Sequence, residues 1–336
     1  MHNVTLPSLL LAAALIASGG AAASDPGADP WLRPSSAPAP PRNAGNAARE
    51  ALGLTLFFDP RLSQSKLTSC ATCHNPALGW SDALPTAIGD QFAHSRRNTP
   101  TILNAAFNPL QMWDGSKRDL EDQVFGPITS PLKMNLPADQ LVHRLRAIAG
   151  YAPLFERAYP GEGIGVDSIA KAVASYERTI LSTDSPFDRW RRGDPQALGA
   201  AARRGFALFT GKARCALCHQ GFNFTDNGYH NIGLLDRRQP PDEGRYAVVR
   251  INVLKGAFKT PTLRDVALTA PYMHDGRYAT LEQVIDHYNR GGDPVDHLSP
   301  NIVPLGLDPR ERRDLVEFLE ALTGTARMVA LPSLPR

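Results

Sequence analysis

A surplus of charge is the first thing missing from these 336 residues. The formal net charge is +3 and the basic residues are scattered, which gives no footing to nucleic-acid binding. Long apolar runs are missing too: beyond residues 9–16 no stretch approaches the length of a bilayer span. Cysteine is scarce, with four in the whole chain, so any cysteine chemistry is confined to four positions. What remains, 43% hydrophobic and 21% charged residues, is the composition of a soluble globular protein with one large or two ordinary domains.

The one apolar run sits in MHNVTLPSLLLAAALIASGGAAA, residues 1–23, ahead of Ala21-Ala22-Ala23 and Ser24. That is the layout of a cleavable export signal with an Ala-x-Ala site, although no Lys or Arg precedes the run. An uncleaved anchor is the rival reading, but the run is short for a span of ~20 residues. No cysteine lies near the site to carry a lipid. Residues 24–45 are rich in Pro, Ala, Ser and Gly without hydrophobic periodicity, and are expected to form a flexible leader.

The four cysteines fall in two copies of one pattern, Cys70-Ala71-Thr72-Cys73-His74 and Cys215-Ala216-Leu217-Cys218-His219. Disulfides suit an oxidising compartment, but nothing in a disulfide asks for a histidine after the second cysteine. A zinc ribbon places its pairs about 15–20 residues apart, whereas 141 residues lie between Cys73 and Cys215. Covalent c-type haem asks for both elements: two thiols for two vinyl groups, and an adjacent imidazole for the proximal side of the iron. Two copies that use every cysteine of an exported chain are a strong signal for two haems.

The surroundings repeat as well. Gly53-Leu54-Thr55-Leu56-Phe57 precedes the first motif and Gly205-Phe206-Ala207-Leu208-Phe209 the second. Each motif is followed by a loop-rich stretch and a helix with an apolar stripe, 169–181 and then 310–324, where Leu315, Phe318, Leu319 and Leu322 fall three or four apart. The pattern predicts a mainly α, loop-rich fold of two cytochrome c-like haem domains packed against each other. Their expected ranges are 46–185 and 186–326, with a tail over 327–336 and the boundary in the polar, turn-rich stretch 185–196.

Six stretches carry a more specific resemblance: LFFDPRLS (56–63), SCATCHNPALGWSD (69–82), RNTPTILNAAFN (97–108), WDGSKRDLEDQVFGPI (113–128), FKTPTLRDVALTAPYMHDGRYATLEQVI (258–285) and LVEFLEALTG (315–324). Through them the chain, from Ala47 to Gly324, resembles the bacterial di-haem cytochrome c peroxidases and their relatives of the MauG type. The resemblance implies that the haem on Cys70, Cys73 and His74 meets hydrogen peroxide, and that the haem on Cys215, Cys218 and His219 passes electrons. It implies that Trp113 lies between the haems, and that His274 of the PYxHDG motif belongs to the cofactor surroundings. It implies a calcium ion held by Asn98, Thr269 and Pro271, the last two through backbone oxygens, a ligand set that suits Ca²⁺.

Three departures from the peroxidases bear on subtype. The peroxidases close their reactive haem with a histidine after a Ser-Ile-Gly-type triplet; here Ala87-Ile88-Gly89 leads to Asp90, with His94 four residues beyond. An open position on the first haem is expected. The peroxidase methionine fourteen residues after the PYxHDG histidine corresponds to Tyr288. Thr280 and Gln283 have capping-box spacing, and Leu281, Val284, Ile285 and Tyr288 share one face of the helix they start. On that pattern alone Tyr288 reads as a core tyrosine; the positional match makes it the sixth ligand of the second iron, with Met273 and His287 as competitors. Phenolate ligation favours ferric or higher states, which brings the chain closer to the MauG type. Third, Gln123 matches a glutamine of the peroxide pocket, but Lys133 stands where a glutamate is expected. A lysine replaces that acid–base group only if burial lowers its pKa. Glu121 and Asp122 read as solvated helix charges.

The leading expectation is a periplasmic di-haem oxidoreductase that uses hydrogen peroxide to oxidise a protein partner through Trp113 and the second haem, with tryptophan residues of that partner among the targets. The alternative is a peroxidase that takes electrons from a small cytochrome c or cupredoxin. A two-haem electron carrier is the third reading, opposed by the matched Gln123 and Trp113. The periplasm of a Gram-negative bacterium is the expected compartment, no membrane span remains after signal cleavage, and homodimerisation, common among the peroxidase relatives, stays open.

Overall fold

Glycine at two helix crossings organises the fold. The computed structural model describes residues 29–326 and 328–336; the export signal expected over 1–23 lies outside them. The helices are α1 (Ala47–Phe57), α2 (Cys70–Cys73), α3 (Leu120–Thr129), α4 (Ala138–Arg146), α5 (Ala152–Ala158), α6 (Val166–Glu177), α7 (Pro186–Arg191), α8 (Ala200–Thr210), α9 (Tyr246–Val249), α10 (Leu281–Asn289) and α11 (Pro309–Glu320). One antiparallel pair, β1 (Tyr229–His230) and β2 (Phe258–Lys259), is the extended structure, with Tyr229 opposite Lys259 and His230 opposite Phe258.

Helix α1 packs on α6 and α8 packs on α11. At the first crossing a Cβ on Gly53 would strike the Ala172 carbonyl and the Tyr176 Cβ; at the second, a Cβ on Gly205 would strike the Asp314 carbonyl and the Phe318 Cβ. Gly53 and Gly205 open the two Gly-x-x-Leu-Phe segments, so the repeated glycine is the residue that lets backbones touch. Local signals set the helix starts. Asn46 accepts the Arg49 N–H at 2.9 Å ahead of α1, and Thr280–Gln283 and Asp308–Glu311 form capping boxes on α10 and α11.

Two apolar clusters result. The first gathers Leu56, Phe57, Ile128, Phe155 and Ile169, all without solvent exposure. The second is mainly aromatic, with Phe187, Phe209, Phe224 and Phe318 meeting edge-on or tilted at centroid distances from 5.0 to 6.1 Å. Each buried Phe contributes roughly 1.5–3 kcal/mol by burial alone. Under the second cluster lies a fully buried ion pair, Arg264 Nη1 to Asp188 Oδ2 at 2.7 Å. The stretch 185–196 expected to be a polar turn contains α7, whose Phe187 and Asp188 are wholly buried.

Residues 29–45 are part of the fold, which corrects the expectation of a flexible leader there. Trp31 packs on Phe206 and Phe224 of the second cluster, and its carbonyl accepts from Arg264 Nη2 at 2.9 Å. Asn43, wholly buried, donates to Glu121 Oε1 at 2.8 Å and to the Lys171 carbonyl at 2.9 Å. Composition registers the prolines and alanines but not these two anchors, whose partners lie far away in sequence. The C-terminal segment crosses the other way. Val329 packs on the first cluster, and the Pro335 and Arg336 carbonyls accept from Arg61 Nη1 and the Gly150 N–H, each at 2.9 Å.

A buried polar hub joins the domains: Asn104 Nδ2 donates to Ser182 Oγ at 2.9 Å and to Asn223 Oδ1 at 3.0 Å. Arg97 adds a second tie, paired with Asp114 from its own domain and Asp242 from the other at 2.7 Å each. Among the described residues no helix is long and apolar enough to cross a membrane.

Candidate haem cavity

Both Cys-x-x-Cys-His motifs form a single tight helical turn. Ser69 and Thr72 box the first, the Ser69 N–H donating to Thr72 Oγ1 at 2.9 Å, and the His74 N–H reaches back to the Cys70 carbonyl at 2.9 Å. The His219 N–H makes the same bond to Cys215, also at 2.9 Å. The imidazoles are oriented alike: His74 Nδ1 donates to the Trp80 carbonyl at 3.1 Å and His219 Nδ1 to the Phe224 carbonyl at 2.8 Å. That bond fixes the tautomer and leaves Nε2 as an unprotonated ligand atom. Burial keeps both rings neutral, pushing His74 down to about 4 and His219 downward.

The two motifs line one cavity of about 800 Å³ that runs between the domains. All four cysteines are free thiols, half-buried on its wall. These features fit c-type haem: free paired thiols, an oriented imidazole beside each pair, and apolar volume between the domains. His274 fits too. It is 4% exposed, stacks on Phe258 at 3.6 Å, lines the cavity, and holds a buried Nε2 without a partner.

Gln123 and Lys133 line the same cavity as the first motif, Lys133 close enough to Cys73 to feel its charge. Among the described residues Lys133 makes no ion pair, and desolvation lowers its pKa; a thiolate charge on Cys73, which thioether formation removes, opposes the shift. Asp90 is turned away. Its carboxylate accepts from Ser65 Oγ and from the Ser65 N–H at 3.2 Å, and its own N–H donates to the Lys133 carbonyl. Neither Asp90 nor the exposed His94 lines the cavity. Glu121 corrects the reading of solvated charge: its buried carboxylate pairs with Arg178 at 2.8 Å and bonds Asn43. Asp122 does sit at the surface, paired with Lys117 and Arg118.

Around the second motif, Leu281, Val284, Ile285 and Tyr288 of α10 all line the cavity. The Tyr288 hydroxyl makes no hydrogen bond among the described residues. Burial pushes its pKa well above that of an ordinary phenol, with Cys215 and Cys218 as the nearest charges. A phenolate there requires a cation. His287 is occupied elsewhere, its Nε2 on the Ile232 carbonyl at 2.8 Å and its Nδ1 near Tyr278 and Arg290. Met273 lines the cavity beside His274, in the segment that meets Asn98.

Trp113 stands at the domain contact. Its indole N–H donates to the Asn98 carbonyl at 3.0 Å, and its carbonyl accepts the Lys259 N–H of β2 at 2.8 Å. The Asn98 N–H donates in turn to the His274 carbonyl at 2.8 Å. Thr269 and Pro271 lie on the same cavity wall as Asn98, whose side-chain oxygen takes no hydrogen bond among the described residues.

Three cavity groups escaped the sequence reading. Lys259 is half-buried, and desolvation pushes it down to about 8. His230, bonded to Asp226 at 2.9 Å, is raised to about 10 chiefly by that bond. Glu177 is 5% exposed. Of the three only Glu177 left a signal, because it falls four residues after Val173 on the apolar stripe of α6.

Two oriented Cys-x-x-Cys-His turns facing one interdomain cavity define a di-haem c-type protein. The model of the family described as di-haem cytochrome c peroxidase matches residues 47–196. The methylamine utilization protein MauG of Methylorubrum extorquens is 48% identical over 91% of this chain and 86% of that one. Its counterpart in Methylophilus methylotrophus is 40% identical over 97% and 98%. A crystal structure of a MauG-like protein associated with microbial copper homeostasis superposes with a TM-score of 0.81 at 31% identity, covering 90% of this chain and 96% of that one. The chain belongs to the di-haem cytochrome c peroxidase family, which carries two c-type haems, and is a MauG-like di-haem oxidoreductase.

Proposed function

We propose that this protein reacts with hydrogen peroxide at its first haem site and oxidises a periplasmic protein partner by electron transfer through Trp113 and the second site, tryptophan side chains of the partner being the targets. The observation that carries the reading is the asymmetry of the cavity. Tyr288 lines the cavity near the second motif and makes no hydrogen bond among the described residues, whereas Asp90 is tied to Ser65 and does not line the cavity. When bound, the haem irons supply the peroxide reduction and the one-electron steps.

The chain's own residues do the rest. Cys70 and Cys73, and Cys215 and Cys218, hold the two groups by thioether bonds, and His74 and His219 present Nε2 to iron. Tyr288 provides an anionic oxygen to the second iron, which favours its oxidised states. Gln123 orients peroxide, and Lys133, half-buried with a pKa lowered by desolvation, takes and returns the proton that O–O cleavage moves. Asn98, Thr269 and Pro271 hold one Ca²⁺ that stiffens the domain contact beside Trp113. The Ala-x-Ala site ending at Ala23 supports export to the periplasm.

Electron paramagnetic resonance of the oxidised holoprotein and of Tyr288→Met tests the proposal. One high-spin signal, with a low-spin signal that changes on substitution, is the expected result. An unchanged low-spin signal returns Tyr288 to core packing and makes Met273 the ligand. Lys133 favours a second reading, because it retains proton transfer at the peroxide side: a peroxidase fed by a small cytochrome c or cupredoxin. Fast steady-state turnover with such a donor selects it. Sedimentation of the holoprotein decides whether it pairs with a second copy.

A further inference from the structure

The repeat identifies one residue that the proposed chemistry leaves unused. Because Gly53 meets Ala172 and Tyr176 as Gly205 meets Asp314 and Phe318, the register of the two closing helices is fixed by contact. In that register Glu177 takes the place of Leu319. Both side chains are buried and both line the haem cavity, Leu319 in the second domain and Glu177 in the first. An apolar position of the repeat has become a carboxyl group.

Among the described residues Glu177 makes no ion pair. One Glu177 oxygen is buried without a hydrogen-bond partner. Arg178 is adjacent in the chain, but its Nη2 is given to Glu121 at 2.8 Å. Glu177 is also the last residue of the 12-residue α6, where the helix dipole opposes negative charge. Burial, a missing partner and the dipole all favour the neutral acid. Its pKa is accordingly pushed up to about 8 by burial, with Arg178 working against the shift and Glu121 with it. The Cys70 sulfur, the other group that feels this carboxyl, carries no charge once it is a thioether.

We propose that Glu177 is a second proton-exchanging group of the first haem site, distinct from Lys133 and coupled to the site's one-electron redox change: neutral when the site is reduced and ionised when it is oxidised. The proposal rests on the reading that Cys70, Cys73 and His74 hold a haem. Loss of one electron from the site leaves an added positive charge in a low-dielectric cavity, and Coulomb attraction then favours the carboxylate. The electron goes to the external acceptor, and the proton passes from the Glu177 carboxyl to water. Only an O–H bond breaks, and the net charge of the cavity is unchanged. Re-reduction draws one proton back. Leu319 cannot do this, so the second site exchanges no proton through its closing helix.

The test is a potentiometric titration of the holoprotein at pH values either side of about 8, with each haem followed by its own absorption bands and haem content counted as the pyridine haemochrome. Two haems per chain are expected in the wild type, Glu177→Gln and Glu177→Leu, the last copying the residue the repeat already accommodates. The first-haem midpoint should fall with rising pH in the wild type, approaching one proton per electron, a tenfold change in the equilibrium per pH unit. Both variants should lose that slope, while the second-haem midpoint behaves alike in all three proteins. A slope that survives in the variants, or is absent from the wild type, overturns the assignment. A wild-type protein with haem on the second motif alone overturns instead the reading of the first site.

Discussion

The two halves of this molecule solve the same packing problem and then part ways at the face that looks into the cavity. In each, a glycine on the early helix meets the backbone of the closing helix, and a Cys-x-x-Cys-His turn aims its imidazole by a bond to a carbonyl five or six residues on. The first half then offers Gln123, Lys133 and Glu177; the second offers Tyr288 and Leu319. The support differs as well. Arg264 and Asp188 are buried together, wholly without exposure, under the aromatic cluster of the second half, whereas in the first half Asn43 bonds a Glu121–Arg178 pair that keeps slight exposure. Duplication thus conserves how the cofactor is gripped and leaves free what touches its open side.

The largest effect expected from breaking this comparison comes from Arg264→Ala, which leaves Asp188 buried without its cation at a cost of about 3–5 kcal/mol. Denaturant unfolding should show the loss, and a chain that unfolds unchanged would mean that the second half does not depend on its ion pair. Gly53→Ala and Gly205→Ala should cost similar amounts, roughly 1–3 kcal/mol each, because both introduce a methyl against a backbone carbonyl. Clearly unequal losses would show that the crossings are not equivalent. Trp113→Phe removes the bond to the Asn98 carbonyl, worth about 1 kcal/mol. It should slow electron equilibration between the haems, read by flash photolysis of the half-reduced protein, without changing haem content.

The smallest effect is a pH dependence confined to the second half. Asp226 is lowered to about 2, burial opposing and the bond to His230 driving the shift, so its stabilisation is present above 3.8 and fades as pH falls through about 2. His230 is raised above its ordinary value, first by Asp226 and then by a Cys218 thiolate that thioether formation removes, so its stabilisation is full below 6.5 and fades as pH rises through the raised value. Thermal melts should therefore show a plateau between those ordinary values, and His230→Gln should flatten both limbs.

Much of this was readable in the chain. Haem motifs, closing helices and the α10 capping box are local patterns, written in spacing and periodicity, and the sequence names their residues directly. Tyr288 was legible for the same reason: one helix face carries it together with Leu281, Val284 and Ile285. Trp31 and Asn43 were not, since each is defined by partners more than seventy residues away and sits in a segment whose composition reads as loose. Glu121 was taken for a solvated charge because its cation, Arg178, arrives from a different helix. Asp90 was recognised as a poor ligand, but only tertiary contact explains where its carboxylate goes.

The crossing of the terminal segments also bears on the order of assembly. Trp31 is synthesised near the start of the chain, yet its seat among Phe206 and Phe224 exists only after the second half has been made. Val329, Pro335 and Arg336 lie beyond the second half in sequence and cover the first. Neither half is therefore complete until the whole chain is available. The two halves are thus interlocked: each is covered in part by a segment that the chain reaches only by way of the other.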